Sequence, residues 1–246
     1  MRIKKLSNLL IVFLILPYLF CGSAHAKGVK AKHRHPQSKN YYLLKNVEYA
    51  NTDGESLKLD LYRPTIMGGR LPVIIQIHGG GFRGGDKSPC PMIGPFIKNG
   101  YAVASLNYRL RDKGTFPNSV CDVKSAVRWL RANADKYNLA INRFGAIGGS
   151  AGGYLVAMLG TTGNIKDFDK GENLEYPCNV QAVVDLYGIG DFSTLAQDRI
   201  DIGVTLDGDI NAQADYFGCE SFANCPDLTK ASPISYVSGE DRKSVV

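Results

Sequence analysis

The alternation of apolar and polar residues along this chain predicts a series of strands and helices from about residue 41 onward. Two short strand-like runs, "LLKNVEYA" and "LKLDLYRP", flank Asn51 to Gly54, where the Asp-Gly pair indicates a hairpin. Continuous apolar runs, typical of strands buried on both faces, follow in the order "LPVIIQIH", "YAVASLNYRL", "RFGAIGG" and "VQAVVDLYG".

Helical periodicity lies between these runs. In "SVCDVKSAVRWLRANADKY" apolar residues recur three or four positions apart, which predicts an amphipathic helix, and "YLVAMLG" begins another helix. Buried strands that alternate with helices predict an α/β protein, with a mostly parallel sheet covered by helices on both faces. Because ligands of such sheets bind beyond the carboxyl ends of the strands, and both Gly-rich segments lie at such ends, we expect the functional site there.

The first 26 residues have the pattern of a secretory signal. Basic residues precede an apolar run, and Ala24-His25-Ala26 provides a small-x-small cleavage pattern, so we predict cleavage after Ala26 and a secreted or periplasmic protein. The apolar run is shorter than the ~20 residues of a membrane-spanning helix, so no stable membrane anchor is expected. Lipidation of Cys21 is an alternative, which the bulky Phe20 disfavours. Residues 27–40 are polar and basic and are predicted to be a flexible lead-in.

The formal net charge is +6, half of it from the basic residues of the predicted signal. No basic run is interleaved with aromatic residues, so nucleic acid is not an expected partner. Export makes disulfides possible, but the five remaining cysteines are an odd number whose pairing the sequence alone does not fix. A local Cys219–Cys225 bridge is favoured, and Cys121 either pairs with Cys90 or is a small core residue. The fifth cysteine is Cys178.

The first candidate catalytic motif is "GGSAG", residues 148–152, which fits G-x-S-x-G on a strand-to-helix turn. A sharp turn would lift the Ser150 side chain clear of the sheet at a cost in backbone strain, while Gly148 and Gly152 leave room where strand and helix nearly touch. The helix after Ser150 would direct its positive end toward developing negative charge. The alternative is a flexible Gly-rich turn with a solvated serine. A phosphate-binding loop is disfavoured because no Gly-Lys-Ser/Thr follows.

The second motif is "HGGGF", residues 78–82, directly after the first buried run. Its glycines, Gly79 among them, allow backbone N–H groups to turn toward a reaction centre at Ser150 and hold an oxyanion. His78 is not expected to be the base, because hydrolases with this nucleophile turn place their histidine after the serine and acid in the chain. We instead predict that the His78 ring staples the loop.

These motifs, with "GYAVASLNYRL", "DVKSAVRWLRANADKYNL" and "ASPISYVS", resemble the α/β-hydrolases of the HGGG esterase group over residues 57–238. The chain is similar to hormone-sensitive-lipase-like esterases and to the secreted bacterial esterases called feruloyl-esterase-like. The resemblance implies a serine esterase with Ser150 as nucleophile and Gly80, Gly81 and Ala151 as oxyanion donors. It implies no metal and no organic cofactor. The implied substrate is a short acyl or aryl ester, free or linked to polysaccharide, with acetyl and feruloyl esters as candidates.

The resemblance also requires an acid and a histidine later in the chain. The histidines are His25, His33, His35 and His78, so none follows Ser150, and Asp191 is only a weak candidate for the acid. We therefore expect residues 41–240 to be an incomplete hydrolase domain that lacks the last strand–helix units, and residues 241–246 to be a non-native tail. Such a fragment would be inactive. The alternatives are a non-catalytic binding protein with this fold and a prolyl-oligopeptidase-like peptidase, which the HGGG loop disfavours.

Overall fold

The computed structural model describes residues 40–66, 68–201, 203, 211–225 and 228–239. The predicted signal peptide, most of the lead-in and the predicted tail lie outside these residues. The strands are β1 (Tyr41–Thr52), β2 (Glu55–Pro64), β3 (Leu71–Ile77), β4 (Ala102–Leu106), β5 (Leu139–Gly149) and β6 (Ala182–Leu186). The α-helices are α1 (Ile93–Lys98), α2 (Asn118–Ala132), α3 (Ala134–Tyr137), α4 (Ala151–Thr161), α5 (Leu195–Asp201) and α6 (Asn211–Ala214). Short 3₁₀ turns complete the fold at Lys166–Phe168, Asp215–Phe217, Phe222–Asn224, Leu228–Ala231 and Pro233–Tyr236.

The predicted hairpin is present between β1 and β2, which pair antiparallel. Asp53 and Gly54 both have positive φ, 54° and 80°, as a two-residue hairpin turn of the Asp-Gly type requires. This part of the prediction is confirmed.

The sheet has the order β1-β2-β4-β3-β5-β6 within the described residues. Strands β4, β3, β5 and β6 are parallel, and the hairpin joins β4 in antiparallel orientation. At the carboxyl ends Ile77 lies opposite Gly148, and Leu186 lies opposite Gly149. The ends of β3, β5 and β6 therefore meet at one place, where both Gly-rich motifs begin.

Helices cover both faces of this sheet. In β4, Ala102 and Ala104 belong to the main core, which α2 and α4 complete, while Val103 points to the other face and packs with Ile97 of α1. Every residue of β4 is buried, as the continuous apolar run predicts. The predicted α/β architecture is thus confirmed.

One prediction about exposure was wrong. The run that forms β6 was expected to be buried on both faces, but Ala182 is exposed and Leu186 is 36% exposed. The reason is that β6 is the outermost strand among the described residues, so only β5 and α4 cover it. The amphipathic helix α2 is present as predicted, but its polar side is buried as well, because the chain segment 162–179 lies across it.

The cysteines behave largely as the sequence indicated. Cys219 and Cys225 form the local disulfide, while Cys90, Cys121 and Cys178 are buried free thiols. Of the two alternatives for Cys121, the core residue is therefore the one observed.

Candidate active site

Ser150 occupies the turn between β5 and α4 and is exposed to solvent. Its backbone angles, φ 56° and ψ −122°, lie outside the regions that L-residues ordinarily adopt, so the turn stores strain. The Ser150 N–H donates to the carbonyl of Leu186 at 2.9 Å, and its own carbonyl accepts from the N–H of Tyr154 at 2.9 Å. The predicted strand-to-helix turn is present, and it presents the serine side chain above the sheet.

Close backbone contacts explain the two glycines around this turn. A Cβ on Gly148 would lie 2.3 Å from the carbonyl oxygen of Gly152. A Cβ on Gly152 would lie 2.3 Å from the carbonyl oxygen of Ile77. Real Cβ atoms do not approach backbone so closely, so the start of α4 can pack on β3 and β5 only when both positions are glycine.

The Gly-rich loop after β3 packs directly against this turn. A Cβ on Gly79 would lie 2.7 Å from the Gly149 carbonyl oxygen and 3.4 Å from the Ser150 Cβ. Gly80 has φ +120°, and a Cβ there would meet the Gly84 oxygen at 2.1 Å, so only glycine fits the bend. Across the described residues, no hydrogen bond uses the N–H groups of Gly80, Gly81 or Ala151. Those three amides are therefore left without a protein acceptor within the described residues.

His78 holds this loop together instead of facing Ser150 as a base. Its Nδ1 lies 2.8 Å from the Gly79 carbonyl oxygen, and its ring stacks on Tyr108 with 4.5 Å between centroids. The Tyr108 hydroxyl donates to the His78 carbonyl at 3.0 Å. Burial lowers the pKa of His78 despite the Gly79 hydrogen bond and the nearby Asp86, so the ring is neutral at pH 7 and Nδ1–H is the donor. The structure places His78 in the stapling position that the sequence predicts.

Asp86 fixes the next part of the loop. Its carboxylate accepts hydrogen bonds from the Ser88 N–H and the Asn107 side chain, both at 2.8 Å. Burial acts to raise the pKa of Asp86, but these hydrogen bonds outweigh it and the pKa is lowered. The chain that follows, with Pro89 and Pro91, is thereby held beside the serine.

A cleft of about 450 Å³ lies over the carboxyl ends of β3 and β5. Among the residues predicted for the site, it is lined by Ser150, His78, Gly79, Gly80 and Gly148. Gly81, Ala151, Gly152 and Asp191 are not among its lining residues. A second cavity of similar volume at the edge of β6 is lined by Gly160, Val183 and Tyr236, and by none of the predicted site residues.

The rest of this cleft wall consists of residues that were not predicted for the site. Its remaining surface is mainly apolar and comes from Pro89, Pro91, Met92, Ile147, Leu186 and Tyr187, with Gln76, Ile77 and Gly149. Leu186 and Tyr187 follow directly from the rule that ligands bind beyond the carboxyl ends of parallel strands, because they end the strand next to β5. The proline segment carried no comparable signal.

The candidate acid Asp191 and the nearby Asp185 are both engaged in turns. Asp191 accepts hydrogen bonds from the Ser193 N–H and hydroxyl at 2.8 and 2.6 Å, and the Ser193 hydroxyl lowers its pKa. Asp185 accepts from the Gly188 N–H at 2.8 Å, and burial raises its pKa. Both carboxylates have the contacts of loop-shaping residues.

Within the described residues, no group of three or more potential metal ligands occurs, and no helix is long and apolar enough to cross a membrane. The cleft offers the side-chain hydroxyl of Ser150, the backbone of Gly79 and Gly80, and an apolar wall. That arrangement suits attack on a polarised carbonyl whose oxygen the amides can hold.

Comparison with known proteins places this geometry in context. The BD-FAE family model matches residues 59–246. The chain is 34% identical over 146 residues to the probable carboxylic ester hydrolase LipM of Mycobacterium tuberculosis, covering 58% of this chain and 34% of the relative. It is 31% identical over 202 residues to the esterase LipQ of the same organism, covering 79% and 45% respectively. The chain thus spans between a third and a half of the length of these curated relatives.

Solved structures give the same fold. A truncated carbohydrate esterase from gut microbiota superposes with a TM-score of 0.73 and 27% identity, covering 86% of this chain and 78% of that one. A bifunctional GH43-CE protein of Bacteroides eggerthii superposes with a TM-score of 0.72 and 28% identity, covering 82% and 27%. These neighbours show a sheet and helices of the α/β-hydrolase type.

Proposed function

The chain belongs to the BD-FAE family of α/β-hydrolase esterases, and from that premise we propose that it carries the nucleophile and oxyanion hole of a serine carboxylic-ester hydrolase. The observation that carries the proposal is the strained, exposed Ser150 at the floor of a cleft, with the Gly79–Gly80 backbone packed against it. The esterases LipM and LipQ support the same reaction class.

In this reaction the Ser150 hydroxyl oxygen attacks the ester carbonyl and loses its proton to a base. The carbonyl oxygen becomes an oxyanion, which the amides of Gly80, Gly81 and Ala151 stabilise, each such donor being worth about 3 kcal/mol in the transition state. Collapse expels the alcohol, which takes up the proton, and leaves an acyl-serine. Water then attacks the acyl-serine and releases the acid.

The reaction requires a base, and this sequence does not supply a histidine for that role. His78 is neutral and bonded within the Gly-rich loop, and no histidine occurs between residues 151 and 246. Loss of the base in a serine hydrolase lowers kcat by about 10⁶-fold. We therefore propose that efficient turnover requires a protein that contributes a further histidine to the Ser150 cleft.

The proposed substrates are small-molecule or polysaccharide-linked esters with short acyl or aryl groups. The mainly apolar wall of the cleft and the likeness to carbohydrate esterases support this class. We further propose export to a secreted or periplasmic location, which the basic, apolar and Ala24-His25-Ala26 segments of the N-terminus support.

The proposal is tested with a fluorophosphonate probe and with 4-nitrophenyl acetate. Both are applied to this chain and to the protein encoded by its complete locus. In a protein that supplies the further histidine, we expect the probe to label Ser150, identified by peptide mass spectrometry, and the label to vanish in Ser150→Ala but to persist in Ser235→Ala, a control at an exposed serine.

Ester hydrolysis should be lost in Ser150→Ala and be much faster in the locus-encoded protein than in this chain, provided that the locus supplies a histidine. Labelling or hydrolysis that survives Ser150→Ala would contradict the nucleophile assignment. A folded locus-encoded protein that is never labelled would favour the non-catalytic binding function.

A further inference from the structure

Tyr187 lies beside the nucleophile and is almost entirely exposed. Its side chain lines the Ser150 cleft, and the residue is 83% accessible, unusually high for an aromatic residue. A Cβ on Gly149 would lie 2.9 Å from the Tyr187 hydroxyl oxygen and 3.2 Å from the ring carbon that bears it. The phenol end of Tyr187 therefore rests on the residue that directly precedes Ser150.

The backbone at Tyr187 is strained. Its φ is +51°, a conformation in which a bulky L-residue is a genuine outlier. Such strain persists only when the surrounding structure enforces it, and it concentrates at functional sites.

The turn around Tyr187 is enforced from both sides. Asp185 accepts the Gly188 N–H at 2.8 Å, and a Cβ on Gly188 would lie 2.4 Å from the Tyr154 backbone nitrogen, so Gly188 is packed against the start of α4. On the other side the Leu186 carbonyl holds the N–H of Ser150. The turn that carries Tyr187 and the turn that carries the nucleophile are thus one hydrogen-bonded unit.

The side chain gains little packing from this strained position. Its phenol end lies against Gly149, the residue is otherwise exposed, and Pro89, Pro91 and Met92 line the same cleft. An exposed aromatic ring in a mainly apolar cleft is a surface on which a second ring can stack. The two prolines and the methionine add apolar surface to this cleft.

We infer that Tyr187 is a specificity-determining residue whose ring stacks against an aromatic ring of the substrate. This inference rests on the proposed function, since it places that ring on an ester bound at Ser150. The substrate ring belongs either to the acyl group or to the alcohol. Because stacking requires no chemistry, the contribution of Tyr187 is measurable by binding alone.

The test uses amides, which this type of site binds without rapid cleavage, and two matched pairs distinguish the two sources of the ring. N-methylcinnamamide and N-methylhexanamide differ in a ring on the acyl side. N-benzylacetamide and N-butylacetamide differ in a ring on the amine side, which stands for the alcohol of an ester. Dissociation constants are measured by ligand-observed NMR for the unaltered chain, Tyr187→Phe and Tyr187→Asn. Asparagine is chosen because it tolerates positive φ and keeps the turn.

We expect one aromatic amide to bind between about twofold and tenfold more tightly than its aliphatic partner. This preference should remain in Tyr187→Phe and disappear in Tyr187→Asn. A control, Tyr42→Asn, removes an exposed tyrosine that does not line the cleft and should leave the preference unchanged.

Equal binding of both members of each pair, or a preference that survives Tyr187→Asn, would overturn the inference. The failure of the proposed function is a separate result. If the ring preference depends on Tyr187 but the fluorophosphonate does not label Ser150 even in a folded protein that supplies the further histidine, the subsite stands and the esterase assignment falls. If Ser150 is labelled but no ring preference exists, the esterase assignment stands and the subsite falls.

Discussion

At the scale of single residues, backbone strain is concentrated where the cleft is built. Ser150 and Tyr187 both have positive φ, and the Leu186 carbonyl connects them through the Ser150 N–H. Glycines relieve the crowding that this arrangement creates, because α4 begins almost in contact with the end of β3. The identity of these glycines should therefore matter to stability as well as to chemistry.

The first prediction concerns Gly152→Ala. The new Cβ would meet the carbonyl oxygens of Ile77 and His78 at 2.3 and 2.7 Å, and because both are backbone atoms the strand or helix must shift. We expect a loss of about 2–3 kcal/mol in the free energy of unfolding, measured in urea. Gly94→Ala, in α1 with open space around it, is the matched control and should be neutral or slightly stabilising. Equal stability of the two variants would contradict the contact.

The second prediction concerns pH. Burial lowers the pKa of His78 below its ordinary value of 6.5, so below about pH 6.5 the unfolded state binds more protons than the folded state. The free energy of unfolding should therefore fall as pH falls from 7.5 to 5.5, by at most about 1.4 kcal/mol per pH unit from this residue. His78→Asn keeps a donor for the Gly79 carbonyl but does not titrate.

Urea unfolding of both proteins at pH 7.5, 6.5 and 5.5 measures this difference. The stability of His78→Asn should depend less on pH over this range. Parallel pH profiles would show that His78 is solvated and not stapled as the structure has it.

Sequence patterns predicted most of these residues but not all of them. Gly148 and Gly152 follow from a motif whose physical basis, a tight strand–helix contact, is local. The stapling role of His78 follows from chain order. For Tyr187 the sequence could indicate only a place beyond the end of a strand, because its positive φ and its contact with Gly149 arise from the pairing of β5 with β6 and from the turn at Asp185.

At the scale of elements, α2 shows where periodicity fails. Its apolar residues face the core as predicted, but Lys124, Arg128 and Arg131 are also buried. Lys124 donates to the carbonyls of Thr162 and Ile165 and pairs with Asp169 at 2.9 Å. The segment 162–179 crosses the polar side of α2, and the residue pattern within α2 does not predict this contact.

Arg128 and Arg131 extend this arrangement along α2. Their guanidinium groups donate hydrogen bonds to backbone carbonyls between residues 170 and 179. One of the bonds from Arg131 goes to the Asn179 carbonyl at 2.6 Å. Burial lowers the pKa of Arg131 to about 10. The buried cations therefore order residues 162–179, which connect α4 to β6.

The third prediction concerns this connection. Asp169→Asn removes the carboxylate that faces both Lys124 and Arg128 and leaves buried positive charge without compensation. We expect a loss of about 3 kcal/mol in the free energy of unfolding. Asp167→Asn, an exposed residue of the same 3₁₀ turn, should change it by less than about 0.5 kcal/mol. If Asp169→Asn is as stable as the Asp167 control, the cations are solvated and the connection is held by other contacts.

At the scale of the whole molecule, the sequence predicted a parallel sheet but not how far it is covered. Four apolar runs look alike in the sequence, yet β4 is fully buried while β6 is half exposed. The difference lies in neighbours, since β4 has a strand on each side and β6 pairs with β5 alone within the described residues. The burial of a strand depends on its neighbours in the assembled sheet. The hydrophobicity of one segment therefore does not predict it.

The fourth prediction uses the free thiols as reporters of the assembled fold. Cys90, Cys121 and Cys178 lie on different elements and are buried, and burial raises the pKa of each, that of Cys90 to about 11. Because the thiolate is the reactive form, iodoacetamide at pH 8 should label all three more than about 100-fold more slowly in buffer than in urea.

Peptide mass spectrometry after timed labelling distinguishes whole-molecule from local protection. Cys219 and Cys225 are an internal control, since their disulfide should prevent labelling in buffer and in urea until a reductant is added. Equal protection of the three thiols would mean that they become reactive only when the whole sheet unfolds. If Cys178 alone reacts at the rate seen in urea, the connection that Lys124, Arg128 and Arg131 hold opens independently of the sheet. That outcome would contradict a single cooperative unit and would locate the weakest part of the fold between α4 and β6, the strand that ends just before Tyr187.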